Sequence, residues 1–151
     1  MILLTQNNTD IKSGIYEKGT ISLEEVYKAI KENKEIKKAG SIFSFSGIVR
    51  SSSLEGKNVK AMEIDAYDDL ANESIQEICF QIKSRDGIID AKIIHFKGFF
   101  NISDELVYVV IASSHRQEGI KALGDAIEMY KKKVSVWKKE IFPDDTSEWI
   151  H

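Results

Sequence analysis

The residues best placed to do chemistry are mostly basic and crowd into the last third of the chain. They are the His115-Arg116 pair, Lys131, and the run Trp137-Lys138-Lys139-Glu140, with Arg50 standing apart. His115 and Arg116 follow an apolar run and open an amphipathic segment. A helix start offers free backbone N–H groups and the positive end of the helix dipole. An arginine adds a planar fork of donors, so the pair fits a phosphate or another anion. The same two residues also fit a solvated first turn. Lys131 ends the helical stretch four residues after Ile127, beside the apolar stripe, a position that suits a pocket rim, whereas a solvated helix end covers any two of Lys131, Lys132 and Lys133. Lys138 follows Trp137 in a strand, and alternation sets Val136, Lys138 and Glu140 on one face against Trp137, Lys139 and Ile141. A lysine enclosed by apolar walls loses hydration, its pKa falls, and it becomes a nucleophile or an acid–base near neutral pH. A snorkelling surface lysine is the plain alternative. Glu140 is placed to orient Lys138 or simply to pair with it. Arg50 closes a strand beside a serine-rich loop and reads alone as a surface charge.

Elements must hold these side chains, and the pattern supplies them in order. Residues 1–5 are an apolar run read as a strand, and the polar stretch 6–20 is read as loop. Ser22 and Glu25 have capping-box spacing, so a helix starts there. Leu23, Val26, Tyr27 and Ile30 give it a narrow apolar face, and the charged residues 31–38 place it on the surface. Residues 41–50 alternate as a strand, with Gly47 marking a bulge or a close backbone approach. Residues 51–58 form a loop and 59–67 a second strand, so 41–67 reads as a hairpin with a long tip. Asp68 and Asp69 are candidate N-caps of a helix whose core face is Ala71, Ile75, Ile78, Cys79 and Ile82, with Gly87 as its stop. Strands follow at 88–97 and 105–113, joined by a turn at 98–104. The almost wholly apolar stretch 106–112 predicts a central strand covered on both faces. Ser114 and Gln117 form a second capping-box pair, and Ile120, Leu123, Ile127, Tyr130 and Val134 make a core-facing stripe. Residues 136–141 are a last strand, broken by Pro143 before an acidic tail that ends at Trp149. This order predicts an α+β fold: one domain over residues 1–151, with helices packed on a mostly antiparallel sheet.

Composition narrows the function classes. A chain of 151 residues, 42% hydrophobic and 30% charged, suits one globular domain with a real core. A net charge of -3 and the lack of aromatic stacking motifs argue against a nucleic-acid binder, while leaving room for a local basic pocket. Cys79 stands alone, so there is no intramolecular disulfide and no cysteine-based metal site. His95, His115 and His151 lack ligand spacing, so no metal is expected, and Cys79 and His95 are assigned to the core. There is no GxGxxG, no phosphate-binding loop, no HExxH and no nucleophile elbow. The opening MILLTQNNTD lacks the basic start and the apolar length of a signal peptide. No run approaches the roughly 20 apolar residues of a membrane span. A cytoplasmic protein with no membrane partner is expected.

Several stretches together resemble one family. GSIFSFSGIVR, ending at Arg50, resembles the G-A-x-x-x-F-x-G-x-V-R signature of the large, catalytic subunit of molybdopterin synthase. MEIDAYDDLA, from Met62, is similar to its L-E-Y-E-A-Y-x-x-M-A stretch. SSHRQEGIKALGDAIEMYKKKVSVWKKE, from Ser113, resembles its H-R and W-K-[KR]-E block, and the closing EWI resembles its ending. The likeness covers about residues 40–150 in the right order. Departures are Ser135 where the family usually has proline, Ser103 where glycine is frequent, serines at 51–53 where asparagine is common, and a short tail.

The resemblance implies an α/β-hammerhead-type fold and a sulfurtransferase. Such an enzyme converts cyclic pyranopterin monophosphate to molybdopterin, inserting two sulfurs as a dithiolene for molybdenum cofactor biosynthesis. The sulfur comes as a thiocarboxylate on the C-terminal Gly-Gly tail of a small ubiquitin-like carrier subunit. Two copies of each subunit assemble as a heterotetramer around a large-subunit homodimer, and no cofactor is called for. Position by position, the resemblance implies that Lys131 and Lys138 are catalytic. Ile48, Val49, Arg50, His115, Arg116, Lys131, Lys138, Lys139 and Glu140 would bind substrate. The alternative is a homologue that only binds the ubiquitin-like carrier, and the retention of Arg50, His115, Arg116, Lys131 and Lys138 argues against it.

Overall fold

The computed structural model describes residues 10–150, and the strand expected at residues 1–5 lies outside them. The fold is built on β4 (Ile88–Asn101), a long strand that changes partners along its length. Its first part pairs antiparallel with β5 (Glu105–Ser113), as in Ala91 with Ile111 and His95 with Val107. Its last part pairs antiparallel with β3 (Ala61–Ala66), beginning at Gly98 opposite Ile64. Gly98 has φ +128°, a conformation that an L side chain rarely adopts, so the glycine permits the change of direction there. Along 94–97, β4 also takes the short parallel strand β1 (Gly14–Glu17). β2 (Ser41–Ile48) adds to β5, β6 (Val136–Ile141) to β3, and β7 (Ser147–Ile150) to β6. The sheet order is β2-β5-β4-β3-β6-β7 with β1 beside β4, antiparallel except for β1. It has two lobes that share β4.

Helices cover the first lobe. α1 (Leu23–Lys31) packs on β4 and β5, α2 (Asp68–Lys83) on β4 and β1, and α3 (Arg116–Lys133) on β5 and β2. β5 is therefore enclosed on both faces, as its apolar run predicts, with Val109, Val110, Ile111 and Ala112 all fully buried. The α1 capping box forms: Ser22 Oγ accepts from the Glu25 N–H at 3.1 Å and Glu25 accepts from the Ser22 N–H at 3.3 Å. Val26 and Ile30 are fully buried, while Tyr27 turns outward. The five residues expected on the α2 face are all buried.

Elsewhere the structure corrects the sequence reading, mostly where pairing is non-local. The 41–67 hairpin does not form, because β2 pairs with β5 and β3 with β4 and β6. Residues 49–60 instead carry the chain from one lobe to the other. Burial against the apolar β5 outweighs the short-range partner. β1 lies within the expected loop; with four residues and Ile15 as its buried aliphatic anchor, it shows almost no pattern. β4 continues to Asn101, so the turn to β5 spans only 102–104. Ser103 holds φ +72° in that turn, which explains why glycine suits the position. Asp68 and Asp69 sit in the first turn of α2, and Tyr67 is the N-cap. At α3 the N-cap is His115 and no side chain caps the helix, so the Ser114–Gln117 box is absent.

The α3 stripe is also displaced. Gly119, Ala122, Ala126 and Tyr130 are buried, Leu123 and Ile127 are half-buried, and Ile120 is 56% exposed. Close approach decides this. A Cβ on Gly119 would lie 2.3 Å from Ser113 Oγ and 2.6 Å from the Phe43 ring, so small residues face the sheet. Past Pro143 the expected tail forms β7.

Candidate active site

The last turn of α3 and β6 bring Lys131 and Lys138 together. The Val136 N–H donates to the Val134 carbonyl at 3.1 Å, which turns the chain sharply between helix and strand. Lys138 lies on the inner face of the second lobe, opposite Ile64 of β3 and Ile150 of β7, and is half-buried. Burial pushes the Lys138 amine below the ordinary lysine value, and the Lys131 charge pushes it further. Lys131 itself is exposed. Ion pairs among the described residues engage Lys18, Lys38, Lys57, Lys60, Lys97, Lys121 and Lys139, but not Lys131, Lys138 or Arg50.

Two aromatic groups that sequence reasoning left in the core belong to this neighbourhood. His95 is buried, its Nδ1 lies 3.0 Å from the Phe96 carbonyl, and its ring meets Tyr130 edge-on with centroids 5.9 Å apart. Burial and then the Lys138 charge lower His95 to about 4, so the imidazole is neutral. Burial, then the charge of Glu128, raises the Tyr130 phenol to about 12. Lys138 thus has the uncharged His95 imidazole and one cationic group, Lys131, acting on it, an arrangement that favours a neutral amine. No spacing in the sequence ties His95 to Lys138, because the link runs across β4, β3 and β6.

The remaining expected residues divide among three places. Val49 is buried, donates its N–H to the Asp104 carbonyl at 3.1 Å and accepts from the Ser103 N–H at 2.8 Å. This pins the end of β2 to the β4–β5 turn and leaves Ile48 and Arg50 exposed. The Arg50 charge acts on Glu140, which is only 8% exposed. Burial holds the Glu140 carboxyl above the usual range, the facing Glu148 adds to this, and Arg50 partly offsets it. Glu140 shares a face with Lys138 but forms no ion pair with it. Lys139 points to the opposite face, 3.0 Å from Glu63 and over the Trp149 ring at 5.4 Å.

His115 and Arg116 are exposed at the other end of the fold. From Arg116 to Lys131 the helix rises fifteen residues, about 22 Å. The β2–β5 ladder gives the same answer: Ser41 faces Ser113 at the His115 end, and Ile48 faces Glu105 at the Arg50 end. Seven steps along β2 are about 23 Å. One chain therefore assembles Arg50, Lys131, Lys138 and Glu140, and holds His115 and Arg116 apart from them.

Lys131 at the end of α3 and Lys138 on β6 form a basic shelf. Two hollows lie elsewhere: one of about 370 Å³ beside the α1 start, lined by Lys18, Ser22, Glu105 and Tyr108, and one of about 510 Å³ over the outer face of α2. Among the described residues no group of His, Cys, Asp and Glu side chains could hold a metal ion, and no helix is long and apolar enough to cross a membrane.

A two-lobed, mostly antiparallel sheet with packed helices and a lysine shelf on its second lobe is an α/β-hammerhead-type domain. The chain belongs to the MoaE protein family, whose model matches residues 16–133. It is 33% identical over 110 residues to the molybdopterin synthase catalytic subunit of Rattus norvegicus, a match covering 73% of this chain and 54% of that protein. The match thus spans a little over half the length of that relative, and 80% of the Thermoplasma volcanium catalytic subunit, to which the chain is 30% identical over 111 residues covering 74% of this chain. Molybdopterin synthase from Staphylococcus aureus superposes with a TM-score of 0.79 at 31% identity, covering 92% of this chain and 96% of that one. The complex of subunits 1 and 2 of the Helicobacter pylori molybdopterin-converting factor shares the fold, with a TM-score of 0.69 at 22% identity over 91% of this chain and 88% of that one.

Proposed function

We propose that this chain is the catalytic subunit of a molybdopterin synthase. It transfers sulfur from the thiocarboxylated C-terminus of a small ubiquitin-like carrier to cyclic pyranopterin monophosphate, forming the dithiolene of molybdopterin. The observation that carries the reading is Lys138: a half-buried amine with a lowered pKa, beside Lys131, in a chain of the MoaE family. An amine whose pKa is lowered exchanges a proton with a reacting group more readily than an ordinary lysine, and a neighbouring ammonium stabilises negative charge on the carbonyl oxygen as sulfur leaves the thiocarboxylate. Lys138 takes the first role and Lys131 the second.

Arg50, with Ile48 and Val49 shaping its approach, holds the anionic substrate. Lys139 and Glu140 complete the strand that carries Lys138. His115 and Arg116 bind the substrate phosphate from a second copy of this chain, since about 22 Å separates them from Lys131 within one copy. The assembly is a homodimer that carries one small subunit per copy; for the small-subunit partner alone, the Helicobacter pylori structure, a complex of subunits 1 and 2, gives support. Residues 1–151 act as one domain in the cytoplasm.

The test is reconstitution. The purified chain is mixed with thiocarboxylated carrier and cyclic pyranopterin monophosphate, and dithiolene product is read by mass spectrometry. Product is expected; none from a correctly folded chain would overturn the reading.

A further inference from the structure

Arg50 lies just past the end of a ladder. The β2–β5 pairing shifts register between Gly47 and Ile48 and ends with Ile48 opposite Glu105, so Val49 and Arg50 stand beyond it. The turn at 102–104 takes over. Its Asp104 carbonyl accepts from the Val49 N–H at 3.1 Å, and its Ser103 N–H donates to the Val49 carbonyl at 2.8 Å. Both backbone groups of this buried residue are held, so the peptide leading into Arg50 is fixed to the turn. On the far side of Arg50 the Ser51 carbonyl accepts from the Val59 N–H at 2.9 Å, a contact internal to the connection between the lobes. The turn therefore ties Arg50 to the first lobe.

The side chain of Asp104 builds that turn. Its Oδ2 accepts from the Asn101 N–H at 2.7 Å, and its own N–H donates to the Asn101 carbonyl at 3.1 Å. The same Oδ2 lies 2.6 Å from Lys18 Nζ. Lys18 is itself anchored: its N–H donates to the Lys97 carbonyl of β4 at 2.9 Å, and its ammonium stands 5.6 Å from the centroid of the buried Phe100 ring. Lys18 and then the Asn101 N–H hold the Asp104 carboxyl below the usual carboxylate range. Ser103 adopts φ +72°, which costs a serine more than a glycine, so the turn needs a brace.

We propose that Asp104 is a positioning residue for Arg50: its carboxylate, braced by Lys18, shapes the β4–β5 turn that clamps Val49, and so sets the point from which Arg50 reaches the anionic substrate. The inference rests on the proposed substrate role of Arg50. A guanidinium fork must meet its anion within hydrogen-bond distance, so a small displacement of its base weakens binding.

The test compares wild type with Asp104→Ala and with Asp104→Asn, whose amide oxygen still accepts from the Asn101 N–H. In the free protein, hydrogen exchange at the Val49 amide should be about tenfold faster in Asp104→Ala. Exchange at the wild-type rate would overturn the clamp. In the assay with carrier and cyclic pyranopterin monophosphate, Asp104→Ala should raise the KM for the pyranopterin about fivefold and leave kcat within about twofold, and Asp104→Asn should recover most of the loss. An Asp104→Asn variant as impaired as Asp104→Ala would overturn the acceptor role. Calorimetric Kd values for the pyranopterin complete a cycle: Asp104→Ala should weaken binding about fivefold with Arg50 in place and less than about twofold in an Arg50→Ala background. The same loss in both backgrounds would overturn positioning through Arg50. If wild type forms no product, the sulfur-transfer reading fails, and the Val49 exchange still decides the clamp.

Discussion

Lys138 owes its chemistry to its surroundings, and so does His95, which the sequence places in an ordinary strand. The unfolded imidazole titrates near 6.5 and the folded one near 4. Between those values the unfolded state binds the extra proton, so stability rises with pH from about 4 to 6.5 and is lost as pH falls through that window. The span of about 2.5 pH units corresponds to at most about 3–4 kcal/mol. Urea denaturation of wild type between pH 4 and 7 should show this limb, and His95→Gln should flatten it. At this scale the sequence carried the alternation of β6, and so the face that Lys138 shares with Glu140. It could not show what lies opposite that face. His95, Tyr130 and Glu148 reach the site through contacts between strands and helices distant in the chain. Lys139 shows the converse: adjacent to Lys138 in sequence, it lies on the other side of the sheet.

Elements were legible where their signal is local. The Ser22–Glu25 box, the α2 face and the apolar β5 run depend on neighbours within a few residues, and each forms as read. The α3 stripe failed for a specific reason. Large aliphatic side chains suggest the buried face, but the helix lies so close to β5 and β2 that Gly119 and alanines occupy it. Ser113 Oγ, which also donates to the His115 carbonyl at 2.8 Å, is the atom a Gly119 side chain would strike. Gly119→Ala should therefore destabilise the fold by about 1–3 kcal/mol in thermal or urea unfolding. It should also raise the KM for pyranopterin more than it lowers kcat, because it shifts the helix start that presents His115 and Arg116. Similar KM values for variant and wild type would show that this end of α3 does not touch substrate.

For the whole molecule, the consequence lies in the distance between the two ends of α3. The family resemblance assigned His115, Arg116, Lys131 and Lys138 to one substrate site, since nothing in a linear pattern sets their separation. The helix itself sets it, at about 22 Å. If sites form between copies, Lys131→Ala and Arg116→Ala should complement one another. Each variant alone should be inactive. After mixing and subunit exchange, half of the dimers are mixed and each carries one intact site, so activity should return to about a quarter of wild type. No recovery, with exchange verified by native mass spectrometry, would place both ends of α3 in separate functions.

The central claim is that the half-buried Lys138 amine does the chemistry. Its direct test is single-turnover product formation by Lys138→Ala with thiocarboxylated carrier and cyclic pyranopterin monophosphate, carrier binding being measured in parallel. The rate should fall by about 100-fold or more while carrier affinity stays within a few-fold of wild type. A rate within twofold of wild type would contradict the account.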